Sequence, residues 1–285
     1  MTGAPKPVEA GLYFVSTPIG AARDITLRAL DILAGADVLA AEDTRSLRHL
    51  MSIHGLQPGE RPLWAYHDHN GERMRPRILA ALAEGRSVAY ASEAGTPLVA
   101  DPGYQLGRAA IAAGYPVFAA PGASAVLAAL AVSGLPTDRF LFAGFAPPAR
   151  AARRRWLSDL ARVPATLVLY ESPKRIQELL EDLVPIFGMD RRAALCRELT
   201  KRFEEVMRAP LGELAERLAG QPVRGEIVLV VDRAPVADAA PEEVEAALRA
   251  AMATMTVRDA AATVAEALGL PRRAVYQAAL KLEGG

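Results

Sequence analysis

From Ala109 to Thr137 the chain carries no charged residue, a stretch longer than the roughly 20 residues that a membrane-spanning helix needs. Gly114, Pro116, Pro121, Gly122, Gly134 and Pro136 cut it into shorter pieces, and proline or glycine in a helix interior is costly. The stretch reads as a buried strand, a tight turn and a buried helix, and the chain as globular, with no membrane partner.

The rest has the same texture. Leu12–Ser16, Val38–Ala40, Leu63–Ala65, Ser87–Ala91 and Val117–Ala119 are short β-rich runs separated by helical patterns. Asp24 and Thr26 precede the Leu27/Leu30/Leu33 face, and Asp101-Pro102 precedes the run from Tyr104, as helix starts require. Beyond Pro136 the pattern resumes with Phe140–Ala143, Thr166–Tyr170, Ala193–Cys196, an alternating Phe203–Met207 run and Ile227–Val231. We expect an N-terminal α/β domain over 1–120 and a second over 121–232. A proline-containing linker at 232–241 leads to three helical patterns over 242–285: Glu242–Met252, Val257–Leu268 and Pro271–Leu280. The last two, with Arg272, Arg273 and Tyr276 opening the third, read as a helix-turn-helix or equally as a small helical cap.

Composition narrows the function classes. With 33 basic and 33 acidic residues, no overall field draws the chain to nucleic acid, so any such binding must come from local patches. The single cysteine, Cys196, excludes an intrachain disulfide and a cysteine-based zinc cluster. The first residues lack the layout of a signal peptide, and a cytoplasmic address is expected. There is no Gly-x-Gly-x-x-Gly after the first strand and no P-loop signature. Small residues gather instead at three strand ends: Ser16-Thr17-Pro18-Ile19-Gly20, Ser92-Glu93-Ala94-Gly95-Thr96-Pro97 and Pro121-Gly122-Ala123-Ser124-Ala125. In an open α/β sheet such loops meet at the carboxyl ends of the strands, where ligands bind.

These loops also belong to a longer series. Ser-Thr-Pro-Ile-Gly (16–20), Ala-Ala-Glu-Asp-Thr-Arg (40–45), Tyr-His-Asp-His-Asn (66–70), Ser-Glu-Ala-Gly-Thr-Pro-Leu-Val-Ala-Asp-Pro-Gly (92–103) and Ser-Gly-Leu-Pro-Thr-Asp-Arg-Phe (133–140) come first. Tyr-Glu-Ser-Pro (170–173), Arg-Glu-Leu-Thr-Lys (197–201) and Gly-Glu-Ile-Val-Leu-Val (225–230) complete it. In order and spacing the series resembles the RsmI-type methyltransferases of the tetrapyrrole methylase superfamily. The resemblance implies two α/β domains with S-adenosylmethionine in the cleft between them, a small C-terminal helical module, and a homodimer. It further implies 2′-O-methylation of a cytidine in 16S ribosomal RNA near the decoding centre (P site) of the 30S ribosomal subunit. Carried over motif by motif, it places the cofactor against Pro18, against Glu93, Ala94, Gly95, Thr96 and Pro97, against Ser124, Ala125 and Tyr170, and against backbone near Leu199 and Ile227. Three positions depart from the family pattern: Ala21, Glu93 and Ala123 stand where Asn, Asp and Pro are usual.

A ribose hydroxyl is a poor nucleophile while protonated, so a base is useful. The candidates are Glu42, Asp43, Glu198 and Lys201, the last with a lowered pKa. The structural alternative has Glu42 and Asp43 capping the helix through Leu47 and Leu50, and Glu198 pairing with Arg197 or Arg202. For substrate, Tyr66 or His69 could stack on a base, and His67 and His69 would face one way on an extended segment. No metal is expected. Arg45, Lys174 and Lys201 are favoured for phosphate over Arg150, Arg153, Arg154 and Arg155, which read as a solvated helix face. Two other readings compete: a methylase of the same superfamily acting on a tetrapyrrole or protein acceptor, and a non-catalytic nucleic-acid-binding protein using its C-terminal helices.

Overall fold

The computed structural model describes residues 7–99, 103–234, 241–268 and 270–283. The first half alternates strand and helix: β1 (Gly11–Val15), α1 (Leu27–Gly35), β2 (Val38–Ala41), α2 (Thr44–Ile53), β3 (Leu63–Ala65), α3 (Gly71–Ala83), β4 (Ser87–Ala91), α4 (Tyr104–Ala112) and β5 (Val117–Ala120). The five strands form one parallel sheet in the order β3-β2-β4-β1-β5. Its central strands are apolar throughout because both faces are covered. Leu12 and Phe14 of β1 pack with Ile78, Leu82 and Leu106 from α3 and α4, while Tyr13 and Val15 pack with Ile32, Leu33, Leu47 and Met51 from α1 and α2. Thr26 caps α1, its Oγ1 accepting the Ala29 N–H at 3.1 Å; Asp24 ends a separate short 3-10 turn. Asp101-Pro102 lies outside the described residues.

The second half contains α5 (Ala125–Ser133), β6 (Phe140–Phe145), α6 (Arg150–Leu160), β7 (Thr166–Glu171), α7 (Ile176–Phe187), β8 (Arg192–Arg197), β9 (Glu205–Pro210), α8 (Leu211–Leu218) and β10 (Ile227–Val231). Its mixed sheet runs β6-β7-β10-β8-β9, so the last strand of the chain occupies the centre, antiparallel to both neighbours. One face packs on α6, α7 and α8 through Leu157, Leu179, Leu183 and Leu214. The other packs on α5 through Val126, Ala129 and Leu130, joined there by Ile19 from the loop after β1. That shared cluster ties the two halves together, so the fold is α/β in two sheets.

Two expectations are corrected here. The strand expected from Phe203 begins at Glu205, which pairs with Arg197. Glu198 and Thr200 hold left-handed backbone, φ 53° and 63°, and the turn they make leaves Phe203 64% exposed beneath the Arg202 guanidinium. The arginines of α6 are not simply a solvated face. Arg153 is buried, and its Nε donates to the buried Asp182 carboxylate at 2.8 Å, with Arg150 and Arg154 at 3.2 and 3.4 Å. Burial pushes the Asp182 carboxyl up, but the bond from Arg153 and then that from Arg150 outweigh it and hold it below its usual value.

The C-terminal helices α9 (Pro241–Met252), α10 (Val257–Leu268) and α11 (Arg272–Glu283) bury Leu248, Val264, Val275 and Ala279 among themselves. Arg272, Arg273 and Tyr276 remain exposed. Among the described residues, no helix is long and apolar enough to cross a membrane.

Candidate functional site

The three small-residue loops leave the carboxyl ends of β1, β4 and β5 and lock to one another. Thr17 and Gly95 exchange backbone hydrogen bonds, Thr17 N to Gly95 O at 2.9 Å and the reverse at 3.1 Å. The Thr17 hydroxyl donates to the Ser92 carbonyl at 3.2 Å, and the Thr96 hydroxyl to the Ala123 carbonyl at 3.0 Å. Small residues are required for this approach. Gly95 sits at φ 82°, and a Cβ on Gly122 would lie 2.8 Å from Cβ of Ser16.

Opposite stands the second half, at the ends of β7 and β10. Between the two lies a cleft of about 720 Å³, within the size range of small-molecule sites. Of the residues expected against the cofactor, Pro18, Glu93, Ala94, Gly95, Thr96, Ser124, Ala125, Tyr170 and Ile227 line this one cleft. Pro97 and Leu199 do not line it; both are buried. Leu199 lies under the first loop, where its carbonyl oxygen would be 3.0 Å from a Cβ on Gly20. Burial raises the Tyr170 phenol above its ordinary value. Sequence reading missed Phe145, Ser172 and Glu226, which also line the cleft. Ser172 and Glu226 lie inside the quoted blocks; Phe145, at the end of an ordinary strand, carried no signal.

The four candidate bases separate. Asp43 caps α2, Oδ1 accepting the Arg45 N–H at 2.7 Å, and pairs with the Arg45 guanidinium at 3.0 Å. Those bonds hold its carboxyl below the usual range and leave it out of the cleft. Glu42, one residue earlier, lines the cleft together with Ser46. Glu198 pairs with neither Arg197 nor Arg202: Oε1 accepts from Glu226 N at 2.9 Å and from Lys201 Nζ at 3.0 Å, in that order the causes of its lowered pKa. Lys201 lines the cleft but has no lowered pKa. Burial pulls its ammonium down, and hydrogen bonds to Glu226 at 2.7 Å and Glu198 more than offset this, so its pKa is raised and it keeps its proton at neutral pH.

The substrate candidates scatter. Tyr66 is 1% exposed and stacks edge-on against Tyr90, so it has no face to offer a base. His67 and His69 do not lie on an extended strand: residues 68–70 form a turn in which Asn70 Oδ1 accepts the His67 N–H at 2.9 Å. The turn still brings the two rings within 6.0 Å, and the buried His67 Nδ1 has no hydrogen-bond partner among the described residues. Arg45 is 89% exposed beside the cleft, and Lys174 is exposed without lining it. Among the described residues, no group of three or more His, Cys, Asp or Glu side chains could hold a metal ion.

Residues 11–215 match the Tetrapyrrole (Corrin/Porphyrin) Methylases, and residues 238–283 match the RsmI C-terminal HTH domain. Ribosomal RNA small subunit methyltransferase I of Mesorhizobium japonicum is 46% identical, over 98% of this chain and 94% of that protein. Its namesake from Escherichia coli O157:H7 is 41% identical over 96% of each. Among solved structures, uroporphyrin-III C-methyl transferase from Thermus thermophilus, complexed with S-adenosyl homocysteine, superposes with a TM-score of 0.54 at 23% identity. That match covers 78% of this chain and 97% of the other, and it shows the fold alone. From two sheets, one cleft and matches spanning both α/β halves and the helical tail, the chain belongs to the tetrapyrrole methylase family, in the branch of the ribosomal RNA small subunit methyltransferase I proteins.

Proposed function

We propose that this chain transfers a methyl group from S-adenosylmethionine to the 2′-hydroxyl of a cytidine in 16S ribosomal RNA, near the decoding centre (P site) of the small subunit. The observation that carries the reading is the convergence of three locked loops, Tyr170 and Ile227 on a single cleft. The residues present fit the cofactor. Gly95, Ala94 and Ala125 let a ligand reach the backbone, and the carboxylate of Glu42 on the wall suits a cationic sulfonium. When bound, the cofactor supplies an electrophilic methyl group.

The chain contributes placement and a proton acceptor. A rigid cleft between two sheets holds the hydroxyl in line with its target, and positioning supplies most of the acceleration. Of the four candidate bases, Glu42 and Lys201 line the cleft, and Lys201 keeps its proton. Glu42 therefore takes the hydroxyl proton, while the exposed Arg45 offers positive charge to a neighbouring phosphate; the Lys201 ammonium is already balanced by Glu198 and Glu226 and holds its loop at the cleft wall. His67, His69 and Lys174 extend this contact outward. The enzyme acts in the cytoplasm as a homodimer, for which the outer edge of β6, with Phe140 exposed on one side of the sheet and Leu141 on the other, offers an open strand edge.

The test is transfer of tritium from labelled S-adenosylmethionine to small subunits purified from cells lacking the gene, with the labelled nucleoside identified by mass spectrometry. Label on a cytidine ribose supports the reading. Measurable cofactor binding without transfer to subunits or RNA overturns it.

A further inference from the structure

A second cavity, of about 230 Å³, opens off the main cleft and shares Pro18, Gly20, Ser46 and Glu93 with it. Its outer wall is one face of α2. Ser46, His49, Leu50 and Ile53 recur at helical spacing and turn together toward the loops after β1 and β4. None of the roles assigned above uses His49, Leu50 or Ile53. Ile53 is 51% exposed although it sits in a concavity, and His49 is exposed beside it.

The lining says what the cavity suits. Leu50, Ile53 and Pro18 give apolar walls, an imidazole stands at one side, and Glu93 lies at the rim. No lysine or arginine is among the described lining residues, so a phosphate there would face the Glu93 carboxylate, while the nearby Arg45 guanidinium is held by Asp43 at 3.0 Å outside the lining. A flat heteroaromatic ring gains on every side: it buries its faces on the apolar walls and stacks on imidazole. An exocyclic amine on it would meet a carboxylate acceptor, the pairing by which Glu reads cytosine. Enzymes that work on a nucleotide extrude it from its stack into such a pocket.

We propose that this side cavity is the subsite for the pyrimidine base of the acceptor nucleotide. It rests on the reading of the main cleft as an RNA methyl-transfer site. The base lies against His49 and Ile53, and the ribose sits at the shared rim of Pro18, Gly20 and Ser46, so that its 2′-hydroxyl faces the main cleft and Glu42. Helix α2 thus serves two tasks: the residue before its N-cap takes the proton, and its outward face holds the base.

The experiment measures methyl transfer to small subunits and, separately, cofactor affinity by calorimetry, for wild type, His49→Ala and Ile53→Arg. The expected result is a KM for subunits raised about tenfold in His49→Ala, the size of one lost base stack, with cofactor affinity and melting temperature unchanged. Ile53→Arg is expected to raise KM as well, because it obstructs the apolar wall. A lower KM with steeper salt dependence in Ile53→Arg would assign the cavity to backbone phosphate and overturn the proposal. So would a parallel loss of cofactor affinity, or an unchanged KM in both variants of an active enzyme. A wild type that binds cofactor and methylates no RNA overturns the underlying reading instead, and is told apart by failing before any variant is made.

Discussion

Gly225 and Gly220 provide a controlled pair for the loop that carries Lys201. Both hold left-handed backbone, at φ 87° and 68°, so alanine at either meets the same backbone penalty, about 1–2 kcal/mol. Their surroundings differ. A Cβ on Gly220 meets nothing within 4 Å among the described residues, whereas one on Gly225 would lie 2.4 Å from Glu198 Cγ and 2.5 Å from its Cδ. In Gly225→Ala the Glu198 side chain must swing away, losing the Glu226 N–H and separating from the Lys201 ammonium. Hydrogen bonds to charged groups contribute about 1.5–3 kcal/mol, and solvent beside the partly exposed lysine reduces this to about 1–2 kcal/mol. Gly225→Ala should therefore destabilise the chain by about 2–4 kcal/mol against about 1–2 kcal/mol for Gly220→Ala. Urea unfolding gives both values from the midpoints if the slopes stay equal. Equal losses in the two variants would refute the inference that the Glu198 contacts to Glu226 N and Lys201 Nζ stabilise this loop.

Removing the carboxylate in Asp182→Asn leaves the buried Arg153 with only the half-exposed Glu178 carboxylate at 3.3 Å and the Pro148 carbonyl at 3.4 Å, and should cost about 3 kcal/mol, the low end for a broken buried pair, read by thermal unfolding. The folded-state pKa of Asp182 is depressed, so the wild-type advantage over this variant is complete above the unfolded value of about 3.9 and is lost as pH falls through the lower folded value; unfolding curves from neutral pH into the acid range check the sign. Glu42→Gln should lower methyl transfer about 100-fold or more with cofactor affinity retained, whereas Asp43→Asn, which keeps a capping oxygen, should stay within a few-fold of wild type; single-turnover assays separate the two. Tyr66→Phe should leave the KM for subunits unchanged, since the ring is buried.

Strand positions were legible because each sheet is covered on both faces, which leaves β1 and β10 as unbroken apolar runs, and β4 as one after its opening Ser87, that local pattern reveals. The three glycine-bearing loops were legible for a related reason: close backbone approach excludes larger side chains. What local pattern could not show was pairing across distance. The block around Tyr66 is polar and reads as surface, yet this tyrosine turns inward onto Tyr90, which lies on a different strand. Arg153 finds Asp182 only because α6 and α7 pack side by side. The fate of the candidate bases turned on single contacts of the same kind. Lys201 reads as a proton acceptor from its own block alone, but Glu226, contributed by the segment before β10, holds its ammonium charged.

The central place of β10 has a consequence for the chain as it is made. β7 pairs with β6 and β8 with β9, but no strand pairing joins these two pairs until the strand that separates them has been synthesised, and only helix contacts such as α7 on α8 bridge them before that. Until Ile227–Val231 leaves the ribosome, β7 and β8 each present an open, apolar edge, the kind of surface that recruits other chains. The tail of three helices extends the time before release, during which β10 can insert in its own sheet. Truncation just before Ile227 should therefore yield an aggregating product, and truncation after Asp232 a soluble one.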